Sequence, residues 1–226
     1  MSSPPIIAID GTAACGKGTL AKKLAAHYEF SHLDSGALYR LVALGVLCQG
    51  GDPSDAADAI DAARVIDVTQ TSHPDIRTDI VGKAASQVAA IPEVRGILLD
   101  FQRSFAAHPP DRKLGAVIDG RDIGTVVVPR ATAKIFVDAS PEIRAARRWL
   151  ELESLGIIRD QKEILAELKE RDAADKTRVI SPLRQDQDAM LLDTSDLGID
   201  AAFAAALALV EPKIRPALNP SARGPS

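Results

Sequence analysis

Short apolar runs separated by longer stretches of mixed character recur along the chain. Runs of this kind fall at Ile6–Ile9, Ala116–Ile118, Lys134–Val137 and Met190–Leu192, with a shorter one around His32–Leu33. Near-continuous apolar runs of this length predict strands buried on both faces, as in a parallel sheet. Between them the apolar positions return at helical spacing, first at Leu20–Ala26, directly after the opening run. Short strands alternating with longer helices predict an α/β fold, with the sheet covered on both faces. No internal repeat is found. The end of the chain after Ile214, RPALNPSARGPS, is rich in Pro, Ser and Gly, and residues 214–226 are expected to form a flexible tail.

Composition narrows the class. With 226 residues, 46% of them hydrophobic, the chain can bury one substantial core and carry one or two small attachments. A formal charge of −4 argues against a general nucleic-acid binder but permits a local cluster of arginines around phosphates. Cys15 and Cys48 make no disulfide framework, so a reducing, cytoplasmic setting is expected. The loop position of Cys15 predicts an exposed, oxidisable thiol. MSSPP lacks a basic region followed by an apolar core, and AAFAAALALV is too short to cross a bilayer. No membrane role is expected.

The first strand runs into GTAACGKGT, residues 11 to 19. Glycine loses more conformational freedom on folding than any other residue, so this cluster needs a reason such as positive φ or the close approach of a ligand to the main chain; two phosphates would be such a ligand. The spacing Gly11-x4-Gly16-Lys17 is that of a phosphate-binding loop. There the backbone N–H groups of Gly11, Thr12, Ala13, Ala14, Cys15 and Gly16 form an anion nest and the lysine reaches the outer phosphates. Thr19 would hold Mg²⁺. Gly18 stands between Lys17 and Thr19, where Ser or Thr usually follows the lysine at once; this variant resembles the loop of nucleoside monophosphate kinases.

Further constellations are less specific taken singly. In DSGALYR, Asp34 or Ser35 caps a helix carrying Tyr39 and Arg40, and a solvated arginine is the ordinary reading. ASQVAAIPEVR joins two helices at Pro92, with Ser86 and Arg95 at opposite ends of the junction. VIDGRDIGT ends a strand in Asp119 and follows it with Arg121 and Asp122, at the kind of strand end where open α/β sheets place their ligand crevice. For Asp119, a water-mediated magnesium role and a simple turn role both stay open; ligand contact is favoured for Arg121 and Asp122. In LKERDAADKTR, Arg171, Asp175 and Arg178 fall at i, i+4 and i+7, on one face of a helix. With Arg144, Arg147, Arg148 and Lys176 they suggest a cationic mobile segment.

In order along nearly the whole chain, IIAIDG, GKGT, LDSGALYR, AASQVAAIPEVR, DGRDIGTVVVP, KIFVDAS, LKERDAADKTR and Pro182-Leu183 resemble the bacterial cytidylate kinase family. The resemblance implies a P-loop kinase core of five parallel strands flanked by helices, a monophosphate-binding region and a helical lid. It divides the single domain into a phosphate-loop strand and helix at 5–30, a monophosphate-binding region at 34–110 and a lid at 148–182. It implies that Gly11, Gly16, Lys17, Gly18 and Thr19 bind the donor phosphates and magnesium. Ser35, Arg95 and Asp122 match positions that read cytosine, Ser86, Arg171 and Asp175 those around the sugar, and Arg40, Arg121 and Arg178 those that hold phosphate; Tyr39 belongs to the same acceptor side. The resemblance makes Lys17, Arg121, Arg171 and Arg178 the expected catalytic set. The family commonly carries a small sheet insert before the Arg-Thr pair, here Arg77-Thr78, and this chain has only VIDVTQTSHPD there, so a shortened insert is expected.

The implied activity is ATP- and Mg²⁺-dependent phosphorylation of CMP and dCMP by a cytoplasmic monomer, with neither a nucleic-acid polymer nor a membrane as partner. Two alternatives remain. One is a P-loop kinase for UMP or another small acceptor; the other is a nucleotide-sensing module that transfers nothing.

Overall fold

Each apolar run forms a strand of one sheet in the computed structural model, which describes residues 3–219. The strands are β1 (Ile6–Gly11), β2 (Ser31–Asp34), β3 (Ala116–Gly120), β4 (Ala133–Asp138) and β5 (Met190–Asp193), all parallel, in the order β2-β3-β1-β4-β5. Side chains alternate across a strand. Ile7 and Ile9 therefore enter one core with α1 (Lys17–Tyr28) and α8 (Ile199–Leu218). Ala8 and Ile118 enter the other with α2 (Ser35–Cys48), α3 (Ala56–Arg64), α4 (Asp79–Val88) and α5 (Pro92–Ala107). Burial on both faces explains why β1, β3 and β4 read as continuous apolar runs, whereas the edge strand β5 leaves Leu191 exposed, against the expectation for Met190–Leu192. Each fully buried Ile or Leu contributes roughly 1.5–3 kcal/mol relative to an exposed one.

The connections place the crevice. β1 leads outward to β2 while its neighbour β3 leads the opposite way to β4, so chain segments diverge above the ends of β1 and β3. A helical hairpin, α6 (Pro141–Ser154) and α7 (Gln161–Thr177), packs around Leu152, Ile164 and Leu168 and touches this end through Ala13. It is tied to α4 by ion pairs from Asp79 to Arg148 (2.8 Å) and Arg159 (2.9 Å), and from Lys83 to Glu167 (3.1 Å). Between α3 and α4 the chain makes only two 3₁₀ turns, Val68–Ser72 and Pro74–Arg77, and no strand.

The expected flexible tail is corrected in part. Ile214 is fully buried and α8 continues to Leu218, so the helix carries Pro212 and Pro216 inside it. Packing of Ala206, Val210 and Ile214 on the sheet outweighs the helix-breaking tendency of the prolines. Residues 220–226 lie outside the described residues. No described helix is long and apolar enough to cross a membrane.

Candidate active site

The loop between β1 and α1 is shaped by close approaches that glycine alone permits. A Cβ on Gly11 would sit 2.0 Å from the Val137 carbonyl oxygen, and Gly16, at φ 89°, occupies the N-cap of α1. Thr12 is buried and its hydroxyl donates to Asp138 Oδ1 at 2.7 Å. Ala13 is buried too. Ala14 takes φ 58°, a left-handed conformation that costs a non-glycine residue roughly 1–2 kcal/mol. The Ala-Ala-Cys middle of the loop thus carries backbone strain at Ala14. Cys15 corrects the expectation of an exposed thiol: it is fully buried, packed with Leu20 and Leu24 beneath the loop, because its side chain points into the sheet core while its backbone forms the turn.

Lys17 is the first residue of α1 and donates from Nζ to the Thr12 carbonyl at 3.1 Å, folding back over the loop. Burial and the neighbouring Arg121 guanidinium push its ammonium below the usual lysine range. Gly18 faces Asp119, whose Oδ2 would be 3.8 Å from a Cβ there. The other carboxylate oxygen, Oδ1, pairs with His32 Nε2 at 2.8 Å. Thr19 is exposed on the first turn of α1.

The fit of magnesium to these residues can be judged from the donors. Thr19 offers a hydroxyl and Asp119 an oxygen not taken by His32, both hard ligands of the type Mg²⁺ accepts. Among the described residues there is no group of three or more His, Cys, Asp or Glu that could hold a metal. A sparse oxygen set suits an ion that keeps most of its waters and is shared with substrate phosphates.

β3 ends one residue after Asp119, at Gly120, and the chain then presents Arg121 and Asp122 before a short π-helical turn, Ile123–Val127. Ser35, just inside α2, is buried and donates to the Asp119 carbonyl at 2.8 Å; a Cβ on Gly120 would lie 2.3 Å from its Oγ. Asp34 caps α2 by accepting from Ala37 N–H at 3.1 Å. Arg95, on the first turn of α5, reaches Asp122 Oδ2 with Nη2 at 2.5 Å and the Ala89 carbonyl with Nη1 at 3.2 Å, while its guanidinium lies 5.4 Å from the Tyr39 ring centre. Ser35, Tyr39, Arg95 and Asp122 thus share one wall.

Cations gather opposite. Arg121 Nε donates to Asp175 Oδ2 at 2.8 Å, and although burial alone would lower it, that carboxylate raises the guanidinium pKa. Asp175 is held below the usual carboxylate range against its burial, chiefly by Arg121 and then by Arg171. Arg171 is pushed down to about 10, by burial first and then by repulsion from Arg121 and Arg40. Its Nε is buried with no hydrogen-bond partner. Arg40 is lowered by burial and donates from Nη1 to the Ile76 carbonyl at 2.7 Å, packing against Gly82 on α4. Ser86, one turn further along α4, bonds back to the Gly82 carbonyl at 3.4 Å.

Arg178 is not on the helix with Arg171 and Asp175. α7 ends at Thr177 and Arg178 adopts φ −56°, ψ 131°, turning its side chain to the Ile180 and Ser181 carbonyls. It still stands 3.8 Å from Asp175, in the field of Arg95 and Asp122. The cationic segment is likewise divided. Arg144 is buried, bonding the Ala13 and Ala139 carbonyls and Asp172, and Arg147 holds Thr194 and Leu197. Those arginines tie α6 to its surroundings, and only Arg171 and Arg178 of α7 and its end face the crevice cluster.

Two participants, Asp10 and His32, escaped the sequence reading, and Arg144 was read there as part of a mobile cationic segment rather than as a buried tie. Asp10 carried a signal, being a charged residue at the end of an apolar strand run. The pairings of His32 and Arg144 carried none, since their partners Asp119 and Asp172 are 87 and 28 residues away.

A family model described as cytidylate kinase matches residues 7–212. A protein of Nitrobacter winogradskyi described as cytidylate kinase is 52% identical over 206 residues, spanning 91% of this chain and 95% of its own length. One from Rhodopseudomonas palustris strain TIE-1 with the same description is 53% identical over 206 residues, with the same shares of 91% and 95%. Another, from Rhodospirillum rubrum, is 51% identical over 208 residues, with shares of 92% and 98%. In fold alone, the chain is similar to a solved structure of an uncharacterized protein from Eubacterium ventriosum, with TM-score 0.52 at 17% identity over 92% of this chain and 98% of that one.

Proposed function

The chain belongs to the cytidylate kinase family, and we propose that it transfers the γ-phosphoryl group of ATP to CMP and dCMP, giving ADP and the nucleoside diphosphate. The observation that carries the reading is the convergence of Lys17, Arg40, Arg121 and Arg171 on one crevice, with a buried Arg171 Nε left unpartnered. Half-buried cations that repel one another are costly unless a polyanion joins them. Two nucleotides meeting phosphate to phosphate supply one.

In this reading the loop from Gly11 to Thr19 cradles the donor phosphates and Lys17 swings from the Thr12 carbonyl to the transferring group. Thr19, and Asp119 through water, would hold Mg²⁺, which screens charge between donor phosphates when bound. Arg40, Arg121 and Arg178 hold the acceptor phosphate, Ser86, Arg171 and Asp175 lie around the sugar, and Ser35, Tyr39, Arg95 and Asp122 form the base wall. An acceptor phosphate oxygen attacks Pγ in line as the bond to the β–γ bridging oxygen breaks. The acceptor is already anionic near neutral pH, so no general base is required, and catalysis is positioning plus charge stabilisation. Residues 34–110 act as the monophosphate-binding region and 148–182 as a lid that keeps water from the donor. The ion pairs of Asp79 with Arg148 and Arg159 suit the closed arrangement.

A coupled assay for ADP release with CMP, dCMP, UMP, AMP or no acceptor tests this. The expected result is turnover with CMP and dCMP far above the rest. Equal or faster turnover with UMP would make the chain a kinase of different acceptor preference, and no turnover with any acceptor would leave a nucleotide-binding module.

A further inference from the structure

The carboxylate of Asp10 is the least expected group in the sheet. It is 5% exposed near the end of β1, where Asp10 pairs with Gly120 on one side and Phe136 on the other. Its backbone needs no help from the side chain, since both neighbouring strands already complete the ladder. The side chain reaches instead to the turn beyond β3. Oδ1 accepts from Ile123 N–H at 2.7 Å and Oδ2 from Gly124 N–H at 2.8 Å.

These two amides directly follow Arg121 and Asp122, and they open the π-helical turn whose first N–H groups have no partner within it. Gly124 eases the approach: a Cβ there would be 3.3 Å from Asp10 Oδ2 and 3.2 Å from Lys134 Cδ, so both would have to give way slightly. Lys134 does not neutralise Asp10; its Nζ pairs with Asp186 at 3.2 Å. The carboxylate is thus buried with two amides and no paired cation. Burial pushes it up to about 6 despite the two hydrogen bonds, and the nearby charge of Asp122 adds to the rise. An apolar residue or asparagine would fill the same space more cheaply. What only a two-oxygen acceptor supplies is the simultaneous grip on consecutive amides.

We infer that Asp10 is a positioning residue: it fixes the backbone immediately after Arg121 and Asp122, and so sets the direction in which those side chains meet the acceptor nucleotide. The inference rests on the proposed reading of Arg121 and Asp122 as acceptor contacts. This role predicts that acceptor binding suffers more than donor binding, which separates it from a general structural one.

The test is Asp10→Asn, which keeps size but turns an NH₂ toward one of the two amides. The expected result is a CMP KM raised at least about tenfold, the equivalent of one buried hydrogen bond at about 1.4 kcal/mol, and a CMP-to-UMP preference in kcat/KM narrowed by several fold. The ATP KM should stay within about twofold. Amide exchange at Ile123 and Gly124 should quicken in the same variant, without nucleotide. Gly124→Ala presses on the same contact from the other side and should shift the CMP KM in the same direction, which keeps the test open if Asp10→Asn does not fold. A folded Asp10→Asn, or failing that a folded Gly124→Ala, with unchanged CMP KM and unchanged preference would overturn the inference. So would losses equal for ATP and CMP. A wild type without CMP preference would instead count against the proposed acceptor, and amide exchange would then decide the anchoring role alone.

Discussion

The guanidinium of Arg95 and the carboxylate of Asp122 form a buried ion pair with a closest approach of 2.5 Å. Arg95 occupies Oδ2, so Oδ1 stays available to a second donor. Cytosine carries an N4 amino donor on the edge where uracil carries an O4 acceptor. If the base meets Asp122, CMP gains a charge-assisted hydrogen bond while UMP sets an oxygen against a desolvated anion. Asp122→Asn is expected to lower CMP efficiency and narrow the CMP-to-UMP preference by at least about tenfold, measured as kcat/KM for both nucleotides. It should also destabilise the fold, by up to about 3 kcal/mol, because Arg95 loses its buried partner. An unchanged preference in a folded variant would assign base discrimination to Arg95 or Ser35.

Arg40 and Arg178 should separate kinetically. Arg40 is anchored on the Ile76 carbonyl against α4, in the region proposed to bind the acceptor, whereas Arg178 hangs from the end of α7 in the helical hairpin. Arg40→Ala is expected to raise the CMP KM as well as reduce kcat, and Arg178→Ala to act mainly on kcat, since in the proposed lid role Arg178 meets phosphate only on closure. Steady-state kinetics with each substrate varied in turn check this. Changes confined to the ATP KM in both variants would refute the division of roles.

The Asp10 carboxyl titrates at about 6 in the folded protein against an ordinary 3.8, with burial as the main cause. Because the folded value is the raised one, the folded state holds this proton more tightly than the unfolded chain. Its contribution to stability is complete below 3.8 and is lost as pH rises through about 6. Asp10→Asn has no such proton. The unfolding free energy of the wild type should therefore fall relative to that of Asp10→Asn between about pH 4 and 7, by at most about 3 kcal/mol at about 1.4 kcal/mol per unit. Urea titrations of both proteins across that range give the difference directly, and parallel curves would place the carboxyl at an ordinary value.

The two thiols should differ sharply. Cys48 is exposed at the end of α2 and Cys15 is fully buried under the phosphate loop. A thiol reagent added to the native protein is expected to modify Cys48 promptly and Cys15 at least about a hundredfold more slowly, at the rate at which the loop opens. Mass spectrometry of the labelled peptides reads both rates. Rapid labelling of Cys15 would mean that the loop and the start of α1 open readily.

The strand–loop–helix start, the five strands and the order of motifs were legible in the sequence because each is local: apolar runs, glycine spacing and caps act over a few residues. Asp34 caps α2 and Pro92 opens α5 where those signals stood. The fate of charged side chains was not legible. Arg144, Arg147, Arg148, Arg171 and Arg178 look alike along the chain, yet Arg144 is sealed against the Ala13 carbonyl and Asp172, Arg147 holds a distant loop, Arg148 reaches Asp79, and only the last two join the crevice. Cys15 was misjudged for the same reason, since a loop backbone can be exposed while one side chain on it points into the core. Sequence periodicity decides which face of an element is apolar. Which ionic partner a buried charge finds depends on how separate elements pack, and the high cost of leaving such a charge alone makes that tertiary choice decisive for the site.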